Sequence, residues 1–204
     1  MAKQNFIAKA LCSLGGDKYT KEGTEASLQN AHQNAQKNVV RFDLQNDKWI
    51  LLSDLHKGAK NGADDFRRCE EHYITALKHY FEQGFNLCVM GDAEELWEEF
   101  PRTVIQSNSA TFTIERKFHE AGRYMRLWGN HDEIWGNPKT VHRLLQPLYG
   151  NRYLDVPESI LMEISDSNET LGSILLIHGH QGTQNEGQNN EFSKWVLHNL
   201  WRPL

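Results

Sequence analysis

Little in this sequence places it at once, and each scarcity removes a class. The chain of 204 residues has three cysteines, Cys12, Cys69 and Cys88, and no two share a metal-ligand spacing. Cysteine-based metal sites and a disulfide framework are therefore not expected. Cys69 and Cys88 fall on predicted apolar faces and read as reduced core residues of a cytoplasmic protein. Basic charge is also short. The formal net charge is −5 with no basic stripe, which argues against a general nucleic-acid binder, although local basic residues can still hold a phosphate. No apolar run approaches the ~20 residues of a membrane span. Residues 6–14 are mildly apolar, but Lys9 interrupts them and no small-residue cleavage site follows, so no signal peptide is expected. There is no Gly-x-Ser-x-Gly elbow and no Gly-Lys-Ser/Thr phosphate loop.

What is present fits one domain with a full core. Residues 1–38 read as a polar N-terminal arm or peripheral helix, with a short amphipathic helix over residues 1–14. The domain proper spans residues 39–204. Val40, Phe42 and Leu44 alternate, Asn46-Asp47 offers a turn, and Trp49 begins an apolar run, which predicts a β-hairpin. Residues 64–83 carry an apolar stripe of helical period that starts at Asp64-Asp65 and ends at Gly84, leaving His72 and His79 towards solvent. A strand over residues 85–90 completes a βαβ unit. Two short helices with a break near Ser107 are expected before the run at residues 123–128. A helix starts at Pro138 and is stopped by Pro147. Strands over residues 152–164 and 171–177 flank a polar turn, and a last helix covers residues 191–201.

Four of the apolar runs end alike, in residues able to bind metal: Asp54-Leu55-His56, Gly91-Asp92, Gly129-Asn130-His131-Asp132 and His178-Gly179-His180. Ligands in open α/β sheets sit outside the carboxyl ends of strands. In the first of these ends Asp54 and His56 point to one side, with Leu55 turned away. Each ending alone is weak evidence, because Gly-Asp is a common turn and a strand-end histidine is commonly structural. Crowding so many carboxylates and imidazoles at one sheet edge costs several kcal/mol per desolvated ion unless a cation offsets it.

The series resembles the calcineurin-like metallophosphoesterases, whose pattern runs Asp-x-His, Gly-Asp-x-x-Asp/Glu, Gly-Asn-His-Asp/Glu, His, then Gly-His-x-His. Here the blocks are Asp54-Leu55-His56, Gly91-Asp92-Ala93-Glu94-Glu95, Gly129-Asn130-His131-Asp132 and His178, over roughly residues 48–182. Asp92 to Trp97 and Leu176 to Gly182 are most similar to the UDP-2,3-diacylglucosamine hydrolase-like branch. The resemblance implies an α/β fold, a metallophosphoesterase-like αββα sandwich with a mixed central sheet. The final Gly-His-x-His has no match. Gly179-His180-Gln181-Gly182 imitates its first half but lies too near His178, so the chain is expected to be incomplete at its C-terminus, or a variant in which His180 stands in for part of the block.

The resemblance further implies a hydrolase of phosphoester or pyrophosphate bonds with two divalent ions, Mn²⁺ first, with Fe and Zn²⁺ as alternatives. Asp54, His56 and Asp92 would bind one ion, and Asp92, Asn130 and His178 the other, with a bridging hydroxide attacking phosphorus in line. His131 would be the general acid, Asp132 would hold its tautomer, and Glu95 would support a ligand from behind. Trp97, Phe100 and Trp135 would wall the leaving-group pocket. Lys57, Lys60, Arg67 and Arg68 read as surface charges near the first loop. The partner would be a phosphorylated small molecule or phosphodiester, not nucleic acid, and exposed sheet edges would favour a homo-oligomer. Without the last block, the alternative is a non-catalytic or weakly active binding scaffold of the same fold.

Overall fold

The computed structural model describes residues 21–167 and 169–182, so the helices expected over residues 1–14 and 191–201 lie outside the described residues. Helix α1 (Lys21–Ala35) is followed by β1 (Val39–Asp43), β2 (Trp49–Leu52), α2 (Glu70–Glu82) and β3 (Asn86–Met90). Then come α3 (Pro101–Ser107), α4 (Ser109–Glu120), β4 (Tyr124–Leu127), the helical segment α5 over residues 138–149, β5 (Ser159–Asp166) and β6 (Glu169–Ile177). The described chain is thus a mixed α/β fold with two small sheets and five helices. No helix among the described residues is long and apolar enough to cross a membrane.

Strands β2, β3 and β4 form a parallel sheet, with Leu52 opposite Val89 and Leu87 opposite Tyr124. The crossover through α2 makes the expected βαβ unit. The second sheet is mixed, in the order β1-β5-β6, with β1 parallel to β5 and β6 antiparallel to it. This corrects the hairpin. Strands β1 and β2 are neighbours in sequence but lie in different sheets, and the turn after Asp43 carries the chain from one sheet to the other. The inner faces of the sheets meet, with Cys88 and Leu127 packing with Ile160, Met162 and Leu176. On the other face of the parallel sheet, Leu87 and Val89 pack against Tyr73 and Leu77 of α2 and Phe118 of α4.

Helix α2 ends as expected before Gly84, whose φ of 79° suits glycine. Its start is delayed. The Asp64 carboxylate accepts from the Lys60 and Arg67 amides, a 3₁₀ turn covers Phe66–Arg68, and Cys69 is left exposed rather than in the core. His72 and His79 are exposed. The break between α3 and α4 falls at Asn108, which is fully buried and donates to the carbonyls of Gly58 (2.7 Å) and Val104 (2.9 Å). One amide thus ties the helix junction to the loop after β2.

Segment α5 begins at Pro138, with Asn137 capping the Lys139 amide, but Pro147 does not stop it. A proline lacks the amide proton and clashes with the carbonyl four residues back. The turn before it, Val141–Leu145, is π-helical, and its wider i→i+5 spacing relieves that clash, so the helix continues to Tyr149. Residues 152–158 are not strand. Leu154 and Val156 there pack beside Trp135 and Tyr149. Helix α1 buries Ala31 and Ala35, and the Ser159 hydroxyl donates to the Ala31 carbonyl at 2.6 Å.

Candidate metal centre

Strands β2 and β3 do not separate at their carboxyl ends. Pairing continues into the loops through Asp54 N to Gly91 O (3.3 Å), His56 N to Asp92 O (2.9 Å) and Lys57 N to Ala93 O (3.0 Å). The Leu96 amide then reaches the His131 carbonyl at 3.2 Å and joins the loop after β4. This zipper brings the first three sequence blocks together. His178, at the end of β6, comes from the other sheet, and its ring lies over Gly91 and Gly129. A Cβ on Gly129 would sit 2.3 Å from Asp92 Oδ1, so only glycine permits this approach.

The backbone is bent to make the site. Five non-glycine residues among those described have positive φ, and three of them are Asp54 (55°), His56 (46°) and Asp92 (48°). Left-handed backbone costs on the order of 1–3 kcal/mol per residue and persists where surrounding structure imposes it. Leu55, between two such residues, packs into the core under α2, as its expected direction requires.

The side chains converge through their acceptor atoms. His178 Nδ1 lies 3.0 Å from the Met90 carbonyl, which can only accept, so Nδ1 carries the proton. Its Nε2 then faces Asp92 Oδ2 at 3.1 Å and Asn130 Oδ1 at 3.2 Å. His56 repeats the pattern, with Nδ1 donating to Glu95 Oε2 at 2.9 Å and Nε2 facing Asp92 Oδ2 (3.8 Å) and Asp54 Oδ1 (3.9 Å). With each ring neutral, Nε2 is an acceptor facing acceptors, and either a second ring proton or a cation satisfies the set. Among the described residues, two groups have ligand atoms within 4.8 Å of one another: His56, Asp92 and His131, and Asp54, Asp92 and His178. Asp92 belongs to both, with Oδ1 held by the His131 amide at 2.8 Å. The donor set of carboxylate, imidazole and amide oxygen suits a divalent ion of intermediate softness.

Without a cation the proton is favoured there. Burial alone pulls the His178 pKa down, but the hydrogen bond and charge of Asp92 outweigh it and raise it to about 9. His56 is raised chiefly by its hydrogen bond to Glu95. Burial pushes Glu95 up, yet its bonds to His131 and His56 bring it to about 2. Asp92 is also lowered, because contact with His178 overcomes the burial that raises it.

Glu95 lies behind two rings at once. Its carboxylate meets His131 Nδ1 at 2.8 and 2.9 Å as well as His56. The His131 ring stacks on Trp97 with centroids 4.0 Å apart, and the Trp97 indole donates to the Asn130 carbonyl at 2.7 Å. His131 is thus oriented by Glu95 and Trp97 rather than by Asp132. The Asp132 carboxylate is fully buried and turned inward, accepting from the amides of Gly129 (2.7 Å), Ala93 (3.0 Å) and Asp92 (3.3 Å). Burial raises its pKa to about 6 against the pull of Arg126. Replacing Glu95 by Gln leaves one oxygen for two Nδ1–H donors. Glu95→Gln is expected to lower kcat/KM and metal affinity about 10- to 100-fold with the fold retained, as steady-state kinetics and calorimetry would show.

Other expected residues are placed differently. His180 is buried against Trp128 and His178, with ring centroids at 5.2 and 5.6 Å, and joins neither ligand group. Trp135 is core, its indole donating to Glu94, whereas Phe100 is 61% exposed. Lys57 is fully buried and ion-paired with Glu94 and Glu115, so it is no surface charge. Lys60 pairs with Glu70 at the surface. Beside Asp54 and His56 opens a cleft of 810 Å³, walled by Leu52, Phe66, Tyr73 and Tyr80, with Glu98 and Glu99 also lining it. Comparison of the chain with family models, with curated proteins and with solved structures finds no match.

Proposed function

We propose that this chain is a metal-dependent phosphoesterase of the calcineurin-like type, its two sheets being the centre of an αββα sandwich. The observation that carries the reading is the convergence of His56 Nε2, His178 Nε2, Asp54, Asp92 and Asn130 Oδ1 through acceptor atoms. Asp54, His56 and Asp92 would hold one divalent ion, and Asp92, Asn130 and His178 a second. His131 also lies within ligand reach of the first group. Such ions supply Lewis acidity towards phosphoryl oxygens when bound.

The remaining work falls to the chain's own residues. With its Nδ1–H held by Glu95, His131 in its imidazolium form would give the second proton, on Nε2, to a leaving oxygen. The stacked Trp97 ring holds that imidazole in plane, and Glu95 keeps His56 in the tautomer whose lone pair faces the carboxylates. The cleft along β2 and α2 offers an organic leaving group an apolar wall.

The test is hydrolysis of para-nitrophenyl phosphate and its bis ester with Mn²⁺. Turnover of at least one, abolished by chelation and restored by Mn²⁺, is expected. His131→Ala should lower kcat, read at saturating Mn²⁺, about 10²- to 10⁴-fold. A Mn²⁺-loaded protein inert towards both esters would select the second reading, a binding scaffold without turnover, which the position of His180 outside the ligand groups favours.

A further inference from the structure

Beneath the site run five ionised side chains, all fully buried: Glu115, Lys57, Glu94, Arg126 and Asp132. They alternate in charge. Lys57 Nζ lies 2.9 Å from Glu115 and 3.1 Å from Glu94. Arg126 grips Glu94 with both terminal nitrogens, and Nη2 also reaches Asp132 Oδ2 at 3.1 Å. The far end is closed by the hydroxyls of Tyr73, Tyr124 and Tyr149 on Glu115. At the near end, the Asp132 carboxylate accepts the amides of Gly129, Ala93 and Asp92.

Stability alone does not account for such an arrangement. A buried ion costs several kcal/mol to desolvate, and apolar residues of similar volume commonly serve as well or better. Its placement is informative. Lys57 follows His56, Glu94 is two residues past Asp92, and Asp132 follows His131, so three of the five rungs are one or two residues from a residue of the candidate centre. The loop of Asp92 and that of Asn130 are joined above by the Leu96 amide on the His131 carbonyl, the His131 amide on Asp92 and the Asp92 and Ala93 amides on Asp132. The Arg126 fork adds a charged tie from below, because it clamps Glu94 from the first loop and holds the Asp132 carboxylate on which those two amides depend.

We infer that Arg126 is a positioning residue, which through Asp132 and Glu94 sets the relative height of the loops carrying Asp92 and Asn130 and so completes the metal centre. The inference rests on the metal-centre reading above. A lysine keeps the charge but cannot bridge two carboxylates with a planar fork. Arg126→Lys should lower Mn²⁺ affinity about 10- to 100-fold by calorimetry. In the metal-free protein it should speed amide exchange at Ala93 and Gly129. Glu115→Gln, at the opposite end, should lower thermal stability but keep Mn²⁺ affinity within about two-fold, since its carboxylate meets the Lys57 side chain but neither the loop of Asp92 nor that of Asn130. Where Arg126→Lys does not fold, Asp132→Asn carries the same test, with the same expected losses.

Wild-type Mn²⁺ affinity retained in folded Arg126→Lys, or in Asp132→Asn where it stands in, overturns the inference while leaving the metal centre standing. Equal losses in Arg126→Lys and Glu115→Gln overturn it too, because the ladder would then act only through stability. A wild-type protein that binds no Mn²⁺ overturns the metal-centre reading itself, and this inference with it.

Discussion

Asp92→Asn is expected to weaken binding at both ion positions together and to cut hydrolysis steeply. Asp92 is common to both ligand groups and is 3% exposed, with one oxygen on the His131 amide and the other facing His56 and His178. Asparagine is nearly isosteric, so the loop is expected to keep its shape. Its amide, however, presents two N–H donors that can satisfy the lone pairs of His178 and Asn130 without a cation. The requirement for a metal then disappears along with the anionic charge that holds it. Mn²⁺ affinity should fall at least about 100-fold, and kcat/KM on the order of 10³-fold, roughly 4 kcal/mol of transition-state stabilisation. Calorimetry and phosphate release, with circular dichroism to confirm folding, read all three. Activity within ten-fold of wild type would remove Asp92 from the centre.

The second large effect is on pH. In the metal-free protein His178 keeps a proton through neutrality, because Asp92 outweighs the effect of burial and holds its pKa near about 9. The folded value lies above the ordinary 6.5, so this proton stabilises the folded state fully below about pH 6.5. That contribution is lost as pH rises through about 9. The metal-free Tm should therefore fall between pH 6.5 and 9.5, and His178→Asn should flatten that fall. Metal competes with the same proton. Mn²⁺ affinity should rise with pH, by up to about ten-fold per unit below 9, and binding at pH 7 should release a proton that titrations in buffers of different ionisation enthalpy detect. The acid side has the opposite sign. Glu95, lowered to about 2, stabilises the fold above its ordinary range, and that share is lost only as pH drops towards 2. An affinity independent of pH between 6.5 and 9 would contradict the protonated, metal-competing His178.

Much of this arrangement is legible in local sequence signals. Apolar runs ending in Asp54-Leu55-His56, Gly91-Asp92 and Gly129-Asn130-His131 are strands of one parallel sheet whose pairing persists into the loops. A run that is apolar on both faces has few other places to go. Partners were harder to read. The alternation of Val40 and Phe42 marks a half-buried strand but not its neighbour, and Asn46-Asp47 looks the same whether a chain folds back on itself or crosses between sheets. Pro147 misled for a related reason, since a π turn placed ahead of it has no signature of its own.

Within the site, residue types were legible and directions were not. Asp132 stands beside His131 in sequence, yet its carboxylate turns inward to three amides, and Glu95, from another loop, takes the histidine instead. Lys57 has the composition of a surface residue and is fully buried, because its neutralising partners, Glu94 and Glu115, are 37 and 58 residues away in the chain. Nothing in the chain announces the left-handed backbone of Asp54, His56 and Asp92, since such strain belongs to the assembled loops.

The central claim is that the acceptor atoms of Asp54, His56, Asp92, Asn130 and His178 are gathered to hold divalent ions. Calorimetric titration of the metal-stripped wild-type protein with Mn²⁺ at pH 8, read alongside its electron paramagnetic resonance spectrum, tests this most directly. The account predicts about two ions per chain at submillimolar concentration, with the spin-coupled signal of a close pair. No binding below millimolar Mn²⁺ or Zn²⁺ would contradict it.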